Sequence, residues 1–172
     1  LCFGNPEKEN QMWEFVESVR GISDACSAIT LKGSPNHATP IIAGNVSFYN
    51  ESKNGSIPPS PIVSCLGKLD NVEKAIGLSF KHSDSNLVMV GKRKSEMGGS
   101  AYYHMKNKYD SELPKPDFEE VKNQIYALTD CINEGLLLSC HDISDGGLAV
   151  ALSEMSFENN IGFKVSFNEN LR

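Results

Sequence analysis

Apolar residues fall at Met12, Phe15, Val16, Val19, Ile22, Cys26 and Ile29, a spacing that places them along one stripe of an α-helix. Asn5 can cap this helix, and Pro6 suits its first position, where an amide N–H has no intrahelical partner. "KGSPNHATP" then predicts that the helix runs out near Leu31 into a surface loop. The helical spacing returns at Phe118, Val121, Ile125, Leu128 and Ile132, in a second amphipathic helix that Gly135 ends. Apolar runs bounded by turn residues predict strands at "PIIAG", "PIVSCLGKL", "NLVMVGK" and "LLLSC", and alternation predicts another at "IGFKVSF". Two further helices, "SAYYHMKNK" and "LAVALSEMSFEN", each follow a glycine pair. "NVSFYNESKNGSIPPSP" is a long polar loop holding the turn pair Asn54 and Gly55. Interleaved helices and strands predict a mixed α and β fold of the α+β class, with helices packed on a mixed sheet. The pattern changes character near residue 71, which predicts one domain over 1–71 and another over 72–172.

Composition narrows the partners. With 16 basic and 22 acidic residues the net charge is -6, and the only basic cluster is Lys92, Arg93 and Lys94. That field does not favour nucleic acid. The apolar runs stop far short of the roughly 20 residues that cross a bilayer, and no signal-peptide pattern is present, so the chain reads as soluble. Five cysteines form no CxxC pair and leave one over if paired, which fits reduced thiols in a cytoplasmic protein. The opening "LCFGNPEK" lacks an initiator Met and reads as a piece cut from a longer protein.

Three stretches can carry chemistry. In "HDISDGG" a strand is expected to turn into a helix whose first N–H groups can hold an anion such as phosphate. Gly146 and Gly147 allow close backbone approach there, and His141, Asp142 and Asp145 project nearby. A plain structural account remains open: Asp145 caps the helix, Asp142 bonds the turn, and His141 is a satisfied structural histidine. Gly98, Gly99 and Ser100 form a second glycine-led helix start, which can be an anion nest beside the basic triplet or, as such common turns more often are, an ordinary helix entry. The third stretch, "GNVSFYNE", follows Gly44 with Asn45, Ser47, Tyr49, Asn50 and Glu51. Asn45 can supply a metal ligand and Ser47 a hydroxyl to phosphate, or the whole can be an Asx-rich surface turn. No zinc-type ligand cluster, HExxH, GxSxG elbow or phosphate-binding P-loop occurs. Phosphate and Mg²⁺ binding are the chemistries left.

Taken in order, "LCFGNPEK", "GNVSFYNES", "IPPSPIVSCLG", "GGS" and "HDISDGGLAVAL" closely resemble the C-terminal half of the phosphoribosylformylglycinamidine synthase family, within the aminoimidazole ribonucleotide synthetase superfamily. The family's synthetase subunit is a pseudo-dimer of N-terminal-type and C-terminal-type domains. The resemblance implies that residues 1–71 end the second N-terminal-type domain, which binds ATP and substrate, and that residues 72–172 are most of the second C-terminal-type domain. It implies a ligase that joins ammonia, delivered by a glutaminase subunit or domain, to formylglycinamide ribonucleotide. ATP activates the amide oxygen as a phosphate ester, and Mg²⁺ neutralises charge on the transferring group. By the same resemblance Gly44 lies against ATP, Asn45 is a Mg²⁺ ligand and Ser47 touches the ribonucleotide.

For "HDISDGG" and for Gly98 to Ser100 the resemblance leaves open whether they line the working or an auxiliary nucleotide site. It places no catalytic residue in this chain, because the catalytic histidines and metal-binding carboxylates belong to the first half of the parent. Two departures stand out: Cys2 replaces the family's usual Asn, and "KGSPNHA" looks longer than the usual connection. A stand-alone nucleotide-binding or regulatory module of the superfamily, and a phosphotransferase like the thiamine-phosphate kinases, are the alternatives.

Overall fold

A computed structural model describes residues 1–166. The chain divides into two compact units, each drawn from two stretches: Leu1–Gly67 with Gly91–Tyr126, and Lys68–Val90 with the chain from Ala127 on.

In the first unit α1 spans Glu9–Ala28. Its N-cap is Lys8, without a side-chain cap bond. Asn5, expected as the cap, instead accepts the Glu7 N–H at 2.8 Å in the turn before the helix, because "NPEK" spends one further turn before helical bonding begins. Phe15, on the anticipated stripe, meets Phe3 edge-on at 5.4 Å between ring centroids and Phe48 at 5.0 Å. Phe3 is fully buried, so these three rings form the local core. Its chain neighbours carry the backbone ties. Cys2 bridges Ser47 in parallel and Ser60 antiparallel, one residue on each side. A hairpin follows, β1 (Glu51–Ser52) against β2 (Gly55–Ser56), closed by a two-residue turn at Lys53 and Asn54, one residue before the anticipated Asn54-Gly55 pair, because Gly55 pairs with Ser52 as the first residue of β2. Further along, α2 (Ala101–Met105) is capped by the Ser100 hydroxyl, which accepts the Tyr103 N–H at 3.2 Å.

α3 (Phe118–Asn133) contributes residues 118–126 to the first unit and the rest to the second. Asp117 accepts the Glu120 N–H at 3.0 Å at its start. At its end Gly135 takes φ +71, while its N–H bonds Ile132 O and the Leu136 N–H bonds Cys131 O. That is a Schellman termination, which requires the left-handed conformation glycine adopts without steric cost.

The second unit is built around α4 (Gly147–Phe157), whose Ala151 and Leu152 are buried. Phe80 packs there, its N–H bonding Met155 O at 2.8 Å and its carbonyl accepting the Asn159 amide at 2.8 Å. Lys74, in a short 3-10 turn at Val72–Lys74, donates to the Asn133 carbonyl at 2.6 Å.

The α+β class is what forms, but the mixed sheet is not. Among the described residues the only sheet is the β1–β2 hairpin. "PIIAG", "PIVSCLGKL", "NLVMVGK" and "LLLSC" form no ladder, nor do the described residues of "IGFKVSF", whose Phe167 lies outside them. An apolar run makes a strand only when a neighbouring backbone accepts its N–H groups. Here Leu66 is 88% and Val88 80% exposed, and beyond the Leu136 N–H that closes the end of α3, the backbone bond from "LLLSC" among the described residues is Cys140 N–H to Gly77 O at 3.1 Å.

Candidate functional site

The loop 44–51 is the best-defined candidate. Its backbone is tied to the N-terminal segment by successive bonds: the Leu1 nitrogen to Asn45 O at 2.9 Å, Ser47 N–H to Leu1 O at 2.8 Å, and Phe3 N–H to Ser47 O at 2.9 Å. Tyr49 N–H to Gly4 O at 2.9 Å continues the series. The side chain of Glu51 fastens the same region. Glu51 accepts from Lys8 Nζ at 2.7 Å, Ser56 Oγ at 2.7 Å and Asn5 N–H at 3.2 Å. These bonds, Lys8 first and Ser56 next, hold its carboxyl at about 2, well below the usual carboxylate range.

The loop's inner end is open. Gly44 and Asn45 are exposed, and a Cβ at Gly44 would meet nothing within 4 Å. The Asn45 side chain makes no hydrogen bond among the described residues, whereas Ser47 is half-buried with its hydroxyl against Asn50. The arrangement is therefore a fixed loop with unspent polar capacity at one end.

The amide oxygen of Asn45 suits one position in the oxygen shell of a hard cation such as Mg²⁺, which commonly takes its other ligands from carboxylates, phosphates and water. Among the described residues no group of three or more His, Cys, Asp and Glu side chains could hold a metal ion. Among the described residues Asn45 is thus a single oxygen donor that belongs to no such group.

The Gly98 to Ser100 turn also lies in the first unit. A Cβ on Gly98 would sit 2.7 Å from Asp110 O and 2.8 Å from Glu112 O, and the Gly98 N–H itself bonds Glu112 O at 2.9 Å. Close backbone approach and the Ser100 cap account for "GGS" locally.

The "HDISDGG" residues belong to the second unit. His141 Nε2 lies 2.9 Å from Glu154 Oε2, and Nδ1 lies 3.2 Å from Asp142 Oδ1. Its side chain is 12% exposed. Glu154, and secondarily Asp142, raise the His141 pKa above its ordinary value against the opposing effect of burial. Asp142 is held below its usual range by its own backbone N–H and then by His141. Asp145 does not cap α4: the N-cap is Gly146, at φ +81 and without a side-chain bond. The left-handed turn at that glycine sets the helix start one residue beyond Asp145's reach. A Cβ on Gly146 would run into Val150, while Gly147, at φ +68, has open space and gives its N–H to Ser144 O at 3.0 Å. Glu154, thirteen residues on from His141, has no signal in the sequence that pairs them. Asn50 and Glu51 stood in a polar-rich loop, and only the folded backbone assigns them partners.

Residues 83–171 match the family described as AIR synthase related protein, C-terminal domain. The chain belongs to that family. Among curated relatives it is 40% identical to the phosphoribosylformylglycinamidine synthase subunit PurL of Methanothrix thermoacetophila, over 98% of this chain and 22% of the relative. It is 42% identical to the protein of the same name from Thermoplasma volcanium, over 96% of this chain and 20% of the relative. The PurL of Moorella thermoacetica is 37% identical over the whole chain and 22% of its own length. The chain thus spans about a fifth of the length of these relatives. No described helix is long and apolar enough to cross a membrane.

Proposed function

We propose that this chain is part of a phosphoribosylformylglycinamidine synthase synthetase subunit, an ATP-dependent C–N ligase of purine biosynthesis acting in the cytoplasm. The relatives that cover nearly all of the chain carry that name. The observation that carries the site assignment is the loop 44–51, whose pinned backbone leaves Gly44 and Asn45 exposed and without side-chain partners. In this reading residues 1–71 complete an ATP- and substrate-binding domain, and residues 72–172 belong to a C-terminal-type domain. The rest of the parent chain and a glutaminase subunit or domain are its partners.

Gly44, lacking a side chain and facing open space, lets a nucleotide approach the backbone. Asn45 presents its amide oxygen to Mg²⁺, and Ser47 offers its hydroxyl to formylglycinamide ribonucleotide. When bound, Mg²⁺ neutralises charge on the phosphoryl group being transferred. The catalytic groups lie in the first half of the parent. The turns at Gly98 to Ser100 and at His141 to Gly147 are proposed as phosphate-facing elements, positioned by the local bonds described above.

Two experiments test the reading. The full-length protein should convert formylglycinamide ribonucleotide with ATP and ammonia, while the 172-residue chain alone should not. In the full-length protein Asn45→Ala should raise the Mg²⁺ concentration for half-maximal rate by at least about tenfold, as loss of a metal-site contact does. An unchanged Mg²⁺ dependence removes Asn45 from the site, and product formed by the isolated chain removes the division of labour.

A further inference from the structure

We propose that Asn50 is a positioning residue that fixes the Ser47 hydroxyl for the ribonucleotide, an inference that deepens the reading above and rests on its placement of Ser47. The Asn50 amide nitrogen lies 2.9 Å from Phe3 O, 3.0 Å from Ser47 O and 3.1 Å from Ser47 Oγ. Its carbonyl oxygen lies 3.3 Å from the same Oγ, and its backbone N–H bonds Phe3 O at 3.2 Å. One half-buried side chain therefore joins the serine to the carbonyl of the fully buried Phe3.

A serine hydroxyl otherwise rotates to suit whatever surrounds it. An amide N–H given to Oγ occupies a lone pair on the protein side. Its own O–H donates to the Asn50 carbonyl oxygen, which leaves the second lone pair of Oγ for an incoming donor, such as a hydroxyl of the ribonucleotide. Tyr49, at φ +59, makes the kink that returns the next residue towards Ser47. A left-handed conformation at a tyrosine is unfavourable by itself and persists only where the surrounding bonds determine it. The loop's other polar side chains go elsewhere: Tyr49 OH donates to Glu7 Oε1 at 3.4 Å and Glu51 binds Lys8 and Ser56.

The test is a double-mutant cycle read by calorimetric binding of formylglycinamide ribonucleotide to the full-length protein, using Ser47→Ala, Asn50→Ala and the two combined. Losing the hydrogen bond should weaken binding about two- to tenfold in Asn50→Ala. The double variant should bind no worse than Ser47→Ala, because the group that Asn50 holds is already gone. Asn50→Asp keeps the shape but loses the N–H donor, so it should show the same weakening and supplies the cycle if Asn50→Ala fails to fold. Additive losses, or wild-type affinity in Asn50→Asp, overturn the positioning role while leaving the functional reading in place. Wild-type affinity in Ser47→Ala overturns the placement of Ser47 and this inference with it, and a wild-type protein that does not bind the ribonucleotide overturns the functional reading itself.

Discussion

Replacing Phe3 with alanine should destabilise the first unit by about 3–5 kcal/mol, the range for aromatic truncation in a core. The parts agree with that range. Phe3 is fully buried, and returning a phenylalanine side chain to water costs about 1.5–3 kcal/mol. Its edge-to-face contact with Phe15 is worth about 0.5–1.5 kcal/mol beyond area, and the remainder comes from the cavity left between α1 and Phe48. The chain contains one tryptophan, Trp13, two residues before Phe15 on α1. Urea unfolding followed by its emission therefore reports the unit in which the change is made. Tyr109→Ala is the control in the same unit, since that ring is 97% exposed and surface truncations shift stability by about 0.5 kcal/mol or less. A Phe3→Ala loss below about 1 kcal/mol, or one equal to the Tyr109 control, would refute the assignment of Phe3 to the core.

Gly98→Ala should destabilise by about 1–3 kcal/mol, because its Cβ meets two backbone carbonyls that cannot swing aside, whereas Gly44→Ala should leave the unfolding midpoint unchanged and act only on ATP binding. Differential scanning of both variants, with a nucleotide titration for Gly44→Ala, separates the two. His141 has a folded-state pKa raised above 6.5, so its pairing with Glu154 stabilises fully below the unfolded value and fades as pH rises through the folded one. Glu154→Gln should therefore lower the unfolding midpoint most on the acidic side of that window and progressively less above it, and a pH-independent difference would show that the pair contributes no proton-linked stability.

The helices were legible because their signals are local. The stripe through Phe15, the stripe from Phe118 to Ile132 and the glycine that ends α3 each act within a few residues, and the structure keeps both helices and the glycine, although Met12, Val16, Val19 and Ile125 on those stripes are exposed. Strands are different. "PIVSCLGKL" and "NLVMVGK" have the right composition, but a strand needs a partner backbone that no short window specifies. The hairpin at Glu51–Ser56 does form, and it is the case in which the partner lies only a two-residue turn away.

The same distinction separates the candidate sites. "HDISDGG" was conspicuous in sequence, yet much of its polar content is spent locally, with His141 closed between Glu154 and Asp142. The loop 44–51 looked like a polar turn of the kind any surface carries. Its character comes from long-range bonds: Leu1, Phe3 and Gly4 zip to Asn45, Ser47, Tyr49 and Asn50 across more than forty residues. Those bonds hold Ser47 and Asn50 by backbone and side chain while leaving the side chain of Asn45 without a partner among the described residues, a division that no property of the individual residues predicts. A site that must hold charge in fixed geometry needs that division, because groups tied to the scaffold supply orientation and untied ones keep their full bonding capacity for a ligand. By this criterion Asn45 and Gly44 are the residues to assay for ligand contact, and Asn50 and Glu51 the ones to assay for how well that contact is held.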